Sequence, residues 1–174
     1  MRRLILLLCL VVAACSAKPK TLPHSFRPAT APIYSNAVFA VERVAGRWDQ
    51  VAAFSGPDPL GCNSGYAAFL PLDGTLQVDY QLCLAGQMVT GGGAIVPTGP
   101  GRFSIKGDTG LGQDWWVLWV DESYRTLAIG NPSGTFGFIL NRGQALPSDR
   151  MIAAREVFDF NGYDVRKLVL FPAQ

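Results

Sequence analysis

The chain has 174 residues, 15 basic against 13 acidic, one His, four Cys, and about half of its residues hydrophobic. That length is one domain's worth and is enough to bury a real core. A charge balance this even gives neither a basic field for nucleic acid nor a polybasic cluster for anionic lipid heads, so nucleic acid is excluded as an expected partner.

The first residues are Met1-Arg2-Arg3, an apolar run from Leu4 to Val12, then Ala13-Ala14-Cys15. A charged start, a short apolar stretch and a small-residue cleavage site make a secretory signal, and the run is too short to span a bilayer. Val12-Ala13-Ala14-Cys15 resembles the lipobox of bacterial lipoproteins. The resemblance implies that residues 1–14 are a signal peptide and that Cys15 is the lipidated mature N-terminus. The alternative is a plain secreted chain in which Cys15 is incidental. Palmitate-like chains on Cys15 would each contribute about 0.8 kcal/mol per buried methylene, and more than one chain makes a stable anchor. Ser16, rather than Asp, follows the cysteine. In lipoprotein sorting this points to the outer membrane, lipid-anchored and facing the periplasm. Removal of the signal takes Arg2 and Arg3 with it and leaves 13 basic residues against 13 acidic ones.

Residues 16–36 carry Pro19, Pro23, Pro28 and Pro32 among Ser, Thr, Ala and Lys, and read as an extended tether. The expected organisation is a lipidated tether over 15–36 and a folded domain over 37–174. Cys9 leaves with the signal and Cys15 is lipidated, so Cys62 and Cys83 remain to form a disulfide in an oxidising compartment. Two thiols with no nearby His make poor zinc ligands, and no metal or cofactor is expected.

From residue 46 onward, short runs rich in β-branched and aromatic residues alternate with Gly, Pro, Asn and Asp. Strands are predicted at about 46–54, 66–71, 75–83, 88–96, 102–106, 114–121, 124–130 and 135–142, the spacing of a sandwich or barrel. Asp73-Gly74 supplies the positive φ values of a two-residue hairpin turn. Leu76, Val78, Tyr80 and Leu82 share one face of the third run, opposite Thr75, Gln77, Asp79 and Gln81. The run Trp115 to Val120 is apolar on both faces and needs cover outside as well as inside. Pro147-Ser148-Asp149 offers an N-cap for a helix through about Phe160, ended by Gly162. Its face of Met151, Ala154, Val157 and Phe158 would supply that cover. A short last strand runs from Leu168 to Phe171. The expected fold is all-β: an eight-stranded up-and-down antiparallel barrel with one C-terminal helix packed outside, of a size to hold one small ligand.

Gly46-Arg47-Trp48 resembles the lipocalin Gly-x-Trp motif at the start of the first strand. Trp115 to Asp121 with Tyr124-Arg125 resembles the second conserved lipocalin region, and Phe138-Ile139-Leu140-Asn141-Arg142 the third. The tail Gly162-Tyr163-Asp164-Val165-Arg166-Lys167-Leu168 is similar to that of bacterial outer-membrane lipocalins. The resemblance covers about residues 37–171 and departs in the Gly-rich stretch 87–112. It implies that Arg142 lies over Trp48 and closes the narrow end, a structural contact of about 0.5–2 kcal/mol. It also implies a small hydrophobic ligand, a fatty acid or lysophospholipid, inside the barrel.

Inward-facing candidates are Val78 and Tyr80, with Phe138 and Leu140 on the parity of Arg142. The lipocalin resemblance adds Trp115, Val117 and Trp119, and Leu127 and Ile129 on the next strand. Tyr80 is the candidate polar handle for a carboxylate or phosphate head. His24 lies in the tether, so no Ser–His or Cys–His nucleophile pair is available to the barrel and no catalysis is expected. The rival to a ligand carrier is an envelope lipoprotein whose barrel is filled by its own aromatics and whose surface recruits a protein. Sequence leaves that choice open, and with it the natural ligand and whether the barrel forms a homodimer.

Overall fold

The computed structural model describes residues 25–56, 61–108, 110–143 and 145–172. The proposed signal, Cys9, Cys15 and His24 lie outside the described residues. Nine strands appear in chain order: β1 (Gly46–Phe54), β2 (Tyr66–Leu72), β3 (Thr75–Leu84), β4 (Gln87–Gly99), β5 (Arg102–Lys106), β6 (Trp115–Val120), β7 (Thr126–Gly130), β8 (Gly137–Asn141) and β9 (Leu168–Leu170). Each of β1 to β8 pairs antiparallel with its neighbour, and β1 pairs with both β2 and β8, which closes the ring. β9 extends β1 outside the ring, opposite Ala52 to Phe54. The eight-stranded up-and-down barrel expected from the strand spacing is thus the fold, with α1 (Ser148–Phe160) outside it.

Alternation along each strand builds two hydrophobic layers. Inside the ring, Trp48, Phe69, Val78, Leu82, Phe103 and Leu127 belong to one buried cluster. Outside it, Ala52, Phe54, Leu118, Ala128 and Ile139 pack with Ala154 and Phe158 of α1 and with Tyr163. The Phe54 ring meets Phe158 edge-on at 4.9 Å and Tyr163 at 4.9 Å. Met151 and Val157 are partly buried against the same layer, so the four helix residues picked from periodicity do face the barrel. The helix start differs from expectation: Ser148 is its first residue, the cap position is Pro147, and no side chain caps the helix. The Arg150 guanidinium ties this end to the wall through Thr126 Oγ1 at 2.8 Å. Beyond the C-cap Asn161, Gly162 turns the chain at φ +80°, as expected.

The Asp73-Gly74 turn has both residues at positive φ, 49° and 76°, which joins β2 to β3 in a two-residue hairpin. β4 carries the Gly-rich stretch in which the family resemblance departs. Its Gly91, Gly92 and Gly93 pair with Tyr80, Asp79 and Val78, and a Cβ at Gly93 would sit 2.1 Å from the Lys106 carbonyl oxygen. Strands can cross that closely only where side chains are missing.

Residues 25–36 are not a free tether. Phe26 is buried against Phe54, with ring centroids 5.7 Å apart. Arg27 is buried too, donating from Nε to the Asn161 carbonyl at 2.9 Å and from Nη1 to that of Pro132. Pro28 and Pro32 keep this stretch from helix and strand, and Phe26, Arg27 and Ile33 anchor it to the outer layer.

Cys62 and Cys83 form the expected disulfide, 21 residues apart. Beside it the buried Gln50 side chain ties β1 to β3 and to Gly65 just ahead of β2, accepting from the Cys83 and Gly65 amides and donating to the Cys83 carbonyl at 2.9 Å. Replacing Cys62 and Cys83 together by Ser should destabilise the domain by about 3 kcal/mol, the chain-entropy expectation for a loop of this length, read as a lower denaturant midpoint with an intact β spectrum.

Tyr163 Oη donates toward the Asn131 and Phe136 carbonyls, both at 3.0 Å, and accepts from the Asn131 amide. Burial pushes its pKa up from 10.0 to about 12. The folded state therefore holds this proton after the unfolded chain has lost it. Its contribution is complete below pH 10 and is lost as pH rises through about 12. Stability should fall by about 2–3 kcal/mol across that window, and a Tyr163→Phe variant should show a shallower decline in pH-dependent denaturation.

Candidate ligand-holding interior

The two ends of the barrel are built differently. At one end the 3-10 turn Val41–Val44 crosses the ring, with Val44 buried. Trp48 Nε1 donates to the Val44 carbonyl at 2.7 Å. The Arg142 guanidinium lies 4.2 Å from the Trp48 ring centroid and donates from Nη2 to the Ala45 carbonyl at 2.8 Å and to that of Arg43 at 3.1 Å. Burial lowers the Arg142 pKa. Tyr124 seals the same end: its hydroxyl accepts from the Ala40 amide at 2.7 Å, and the Arg43 guanidinium lies 3.8 Å from its ring centroid. The expected contact of Arg142 with Trp48 is present, and Trp48 forms the floor of the inner cluster.

Of the expected interior residues, Val78, Tyr80, Trp115, Val117, Leu127, Ile129, Phe138 and Leu140 all join the inner cluster. Trp119 does not. It packs in the outer layer, because β6 carries a register shift between Val117 and Trp119. The extra residue, Leu118, turns outward, Trp119 then pairs with outward Ala128, and Val120 pairs with inward Leu127. An unbroken period of two cannot reveal a bulge. Sequence reasoning also passed over Phe69, Phe103, Ile105 and Phe136, all in the inner cluster. Alternation of Ala67 with Phe69, and of Phe103 with Ile105, was the available signal; no family motif marks those strands.

Inside, Trp115 is the hub. Its ring lies 5.2 Å from that of Tyr80, 5.7 Å from Phe103 and 5.1 Å from Phe138, centroid to centroid. Its indole Nε1–H is buried and has no hydrogen-bond partner among the described residues. Clefts of about 510 Å³ beside Arg27 and Tyr163 and about 430 Å³ between Gln50, Tyr66 and Phe171 open to solvent. The inner side chains meanwhile pack on one another, with Trp115, Val117 and Phe138 fully buried.

The opposite end, the mouth, is crossed by the loop from β5 to β6. Asp108 reaches back to β3, and the Tyr80 hydroxyl donates to its carboxylate with both oxygens 2.8 Å away. That carboxylate also accepts from the amides of Gly110, Leu111 and Gly112. Leu111 N–H donates to Tyr80 Oη at 2.9 Å, and the Leu111 side chain packs on the inner cluster. Two glycines make room for this latch: a Cβ at Gly91 would sit 2.2 Å from Asp108 Oδ1 and 2.3 Å from Tyr80 Oη, and one at Gly110 would sit 2.4 Å from Tyr80 Oη. Tyr80 is therefore inside the barrel as expected, but its hydroxyl is committed to the strap. Desolvation, with the Asp108 carboxylate adding to it, raises the Tyr80 pKa, so the phenol stays protonated and donating.

Among the described residues no cluster of three or more His, Cys, Asp or Glu is placed to hold a metal. The geometry defines a small up-and-down β-barrel, sealed by side chains at one end and strapped at the other, whose interior is apolar and aromatic. A family model, the lipocalin-like domain, matches residues 39–173, and the chain belongs to that family. It is 27% identical over 144 residues to temperature-induced lipocalin-1 of Arabidopsis thaliana, covering 74% of this chain and 76% of that protein. In fold it is similar to insecticyanin of the tobacco hornworm Manduca sexta, with TM-score 0.61, 13% identity, and coverage of 86% of this chain and 87% of that one. It is also similar to lobster apocrustacyanin A1, with TM-score 0.56, 15% identity, and coverage of 83% and 91%. The lipocalin fold is one that binds small hydrophobic ligands, and its members are typically non-enzymatic.

Opening the strap should follow from removing the Tyr80 hydroxyl or from crowding the latch with a Cβ at Gly91. In Tyr80→Phe or Gly91→Ala, amide exchange at Leu111 should speed up about tenfold or more, the loss expected for hydrogen bonds to a charged group, while amides of β7 and β8 stay protected.

Proposed function

We propose that the protein is a lipid-anchored lipocalin of the bacterial outer membrane that holds a fatty acid, lysophospholipid or similar single-chain lipid in its barrel, for transport or storage in the envelope. The observation that carries this reading is the interior: an aromatic cluster around Trp115 sealed at one end by Trp48 and Arg142, with the Asp108 strap at the other. Such a space takes hydrocarbon by burial, at about 25 cal/mol per Å² of apolar surface, and reads chain shape loosely.

The anchor at Cys15 rests on the Val12-Ala13-Ala14-Cys15 pattern. The path of the described chain supports its use. Ser25 Oγ donates to the Ser133 carbonyl and Phe26 N–H to that of Gly134, both at 2.8 Å, so the N-terminal segment meets the barrel at the mouth. Ten residues of chain from Cys15 to Ser25 reach at most about 35 Å, and an anchor there would hold the mouth close to the bilayer from which a lipid would come.

The close packing of Trp115, Val117 and Phe138 favours a second reading, in which the barrel is filled by its own side chains and the surface recruits a protein. Exposed Phe160, its ring tilted against Tyr34 at 5.8 Å, would suit such a surface. Native mass spectrometry after exposure to a bacterial lipid extract separates the two. A discrete adduct of single-chain lipid mass, lost in Phe138→Arg and reduced in the milder Val117→Phe with the β spectrum intact, is the expected result. A folded protein that emerges bare from every extract would point to the filled barrel. Metabolic labelling with palmitate tests the anchor separately, with incorporation expected in the native chain and lost in Cys15→Ala.

A further inference from the structure

The sealed end of the barrel carries positive charge that closure does not use up. A shallow cleft of about 380 Å³ opens to solvent there, lined by Arg43, Arg125 and Arg142 with Ser123 and Tyr124. Three segments bring the guanidinium groups together: the 3-10 turn ahead of β1, the turn from β6 to β7, and the residue after β8. The Arg142 amide donates to the Arg125 carbonyl at 2.7 Å and Arg142 Nη2 to that of Arg43 at 3.1 Å, so the three backbones are tied to one another. Tyr124, held at φ +53°, presents its ring to the Arg43 guanidinium at 3.8 Å. The Trp48 floor separates this cleft from the interior, so the site does not depend on what the barrel holds.

Like charges gathered in this way repel unless an anion lies among them. No carboxylate does so among the described residues, whose ion pairs are those of Arg47 with Asp49 and of Arg166 and Lys167 with Asp164. Asp121, in the same turn, gives its carboxylate to the amides of Ser123, Arg125 and Thr126. Glu122 meets Arg43 through its main-chain carbonyl at 3.2 Å, and the exposed carboxylates of Glu42 and Glu122 pair with none of the three arginines. Donors are therefore left over. Arg142 Nε is buried with no hydrogen-bond partner among the described residues. Arg142 Nη1, the Arg125 guanidinium and the Ser123 hydroxyl likewise meet no acceptor among them. Gly46, at φ +113°, keeps Nη1 uncrowded where a Cβ would sit 3.2 Å away.

Planar donor forks arriving from separate segments fit an anion with acceptors on several sides. A carboxylate offers its oxygens in one plane, whereas a phosphoryl group offers them as a tetrahedron and carries up to twice the charge. We propose that this cleft is an oxyanion site for phosphate or a small phosphomonoester, with Arg125 and Arg142 as charged donors, Ser123 as a neutral donor and Arg43 completing the positive field. Ser25 meets the barrel at the opposite end, so an anchor ahead of it leaves this cleft facing away from the bilayer and open to ligands in solution. A bound dianion ties the 3-10 turn, the β6–β7 turn and the end of β8 together and so tightens the sealed end.

The test is a titration of the purified protein with inorganic phosphate and with glycerol phosphate, at constant ionic strength set with chloride and at mildly alkaline pH where both are dianions. A saturable shift of the Arg142 Nε–H NMR signal at millimolar ligand, with a raised thermal midpoint, is the expected result. Arg125→Gln should weaken binding about tenfold, the loss expected for a charged hydrogen bond, while Arg47→Gln on the outer face of β1 leaves it unchanged. Circular dichroism checks the fold, and Ser123→Ala, at an exposed turn position, serves as the second variant with an expected weakening of about threefold. Glycerol phosphate binding the more tightly assigns the site to a phosphomonoester, and phosphate binding the more tightly assigns it to the free ion; both support the inference. Chloride alone reproducing the shift, a response that never saturates, or an affinity that Arg125→Gln and Ser123→Ala leave unchanged overturns it.

Discussion

Closure of the sheet on itself is the constraint from which the remaining features follow. β1 must pair with β8 on one side and with β2, then β9, on the other, so its nine residues serve three partners. Once the ring is closed, every second side chain of eight strands converges on one axis, and the residues there have to be apolar or bonded to one another. The register shift in β1 between Gln50 and Ala52 belongs to this closure, since it lets one strand leave β2 and take up β9. Gln50, buried at that branch point, bonds to backbone of β3 and to Gly65, just ahead of β2, and keeps the ring from opening where pairing changes hands.

Closure also separates the two ends by chemistry. At the end where β1 begins, hydrogen bonds and ring stacking tie Trp48, Tyr124, Arg43 and Arg142 to one another and to backbone, and nothing enters without breaking several of them. At the mouth, the β5–β6 loop is held by the Asp108 carboxylate, bonded to the Tyr80 hydroxyl and to amides of its own loop, and by the Leu111 amide on Tyr80 Oη. A barrel with one expensive end and one inexpensive end has a direction, and a ligand would come and go past Asp108. The strap and the inner cluster share Leu111 and Tyr80, so the two are packed as one unit.

The outer layer explains the otherwise awkward apolar run of β6. Trp116 and Trp119 are covered by α1 and by the segment that begins at Ser25, so a strand with two dry faces is accommodated without an exposed apolar patch. Arg27 and Tyr163 fasten that cover to the β7–β8 loop at the mouth, which couples the N-terminal segment mechanically to the end where exchange would occur.

Period-two alternation, turn residues and helix signals determined from sequence alone that the chain forms eight strands in order, a covering helix and a disulfide, because those signals are local or, for the cysteines, a matter of elimination. The closing pair Trp48 and Arg142 and most inward residues were legible for the same reason once the family motifs set the parity. What only the tertiary structure decided depends on partners far apart in the chain. The bulge at Leu118 that sends Trp119 outward is a property of pairing with β7, invisible to any count along β6. The docking of Phe26 and Arg27 required the groove between wall and helix to exist first. The diversion of the Tyr80 hydroxyl to Asp108, 28 residues later, required two glycines on other segments to leave the room, and it moved the free polar donor of the interior from Tyr80 to Trp115.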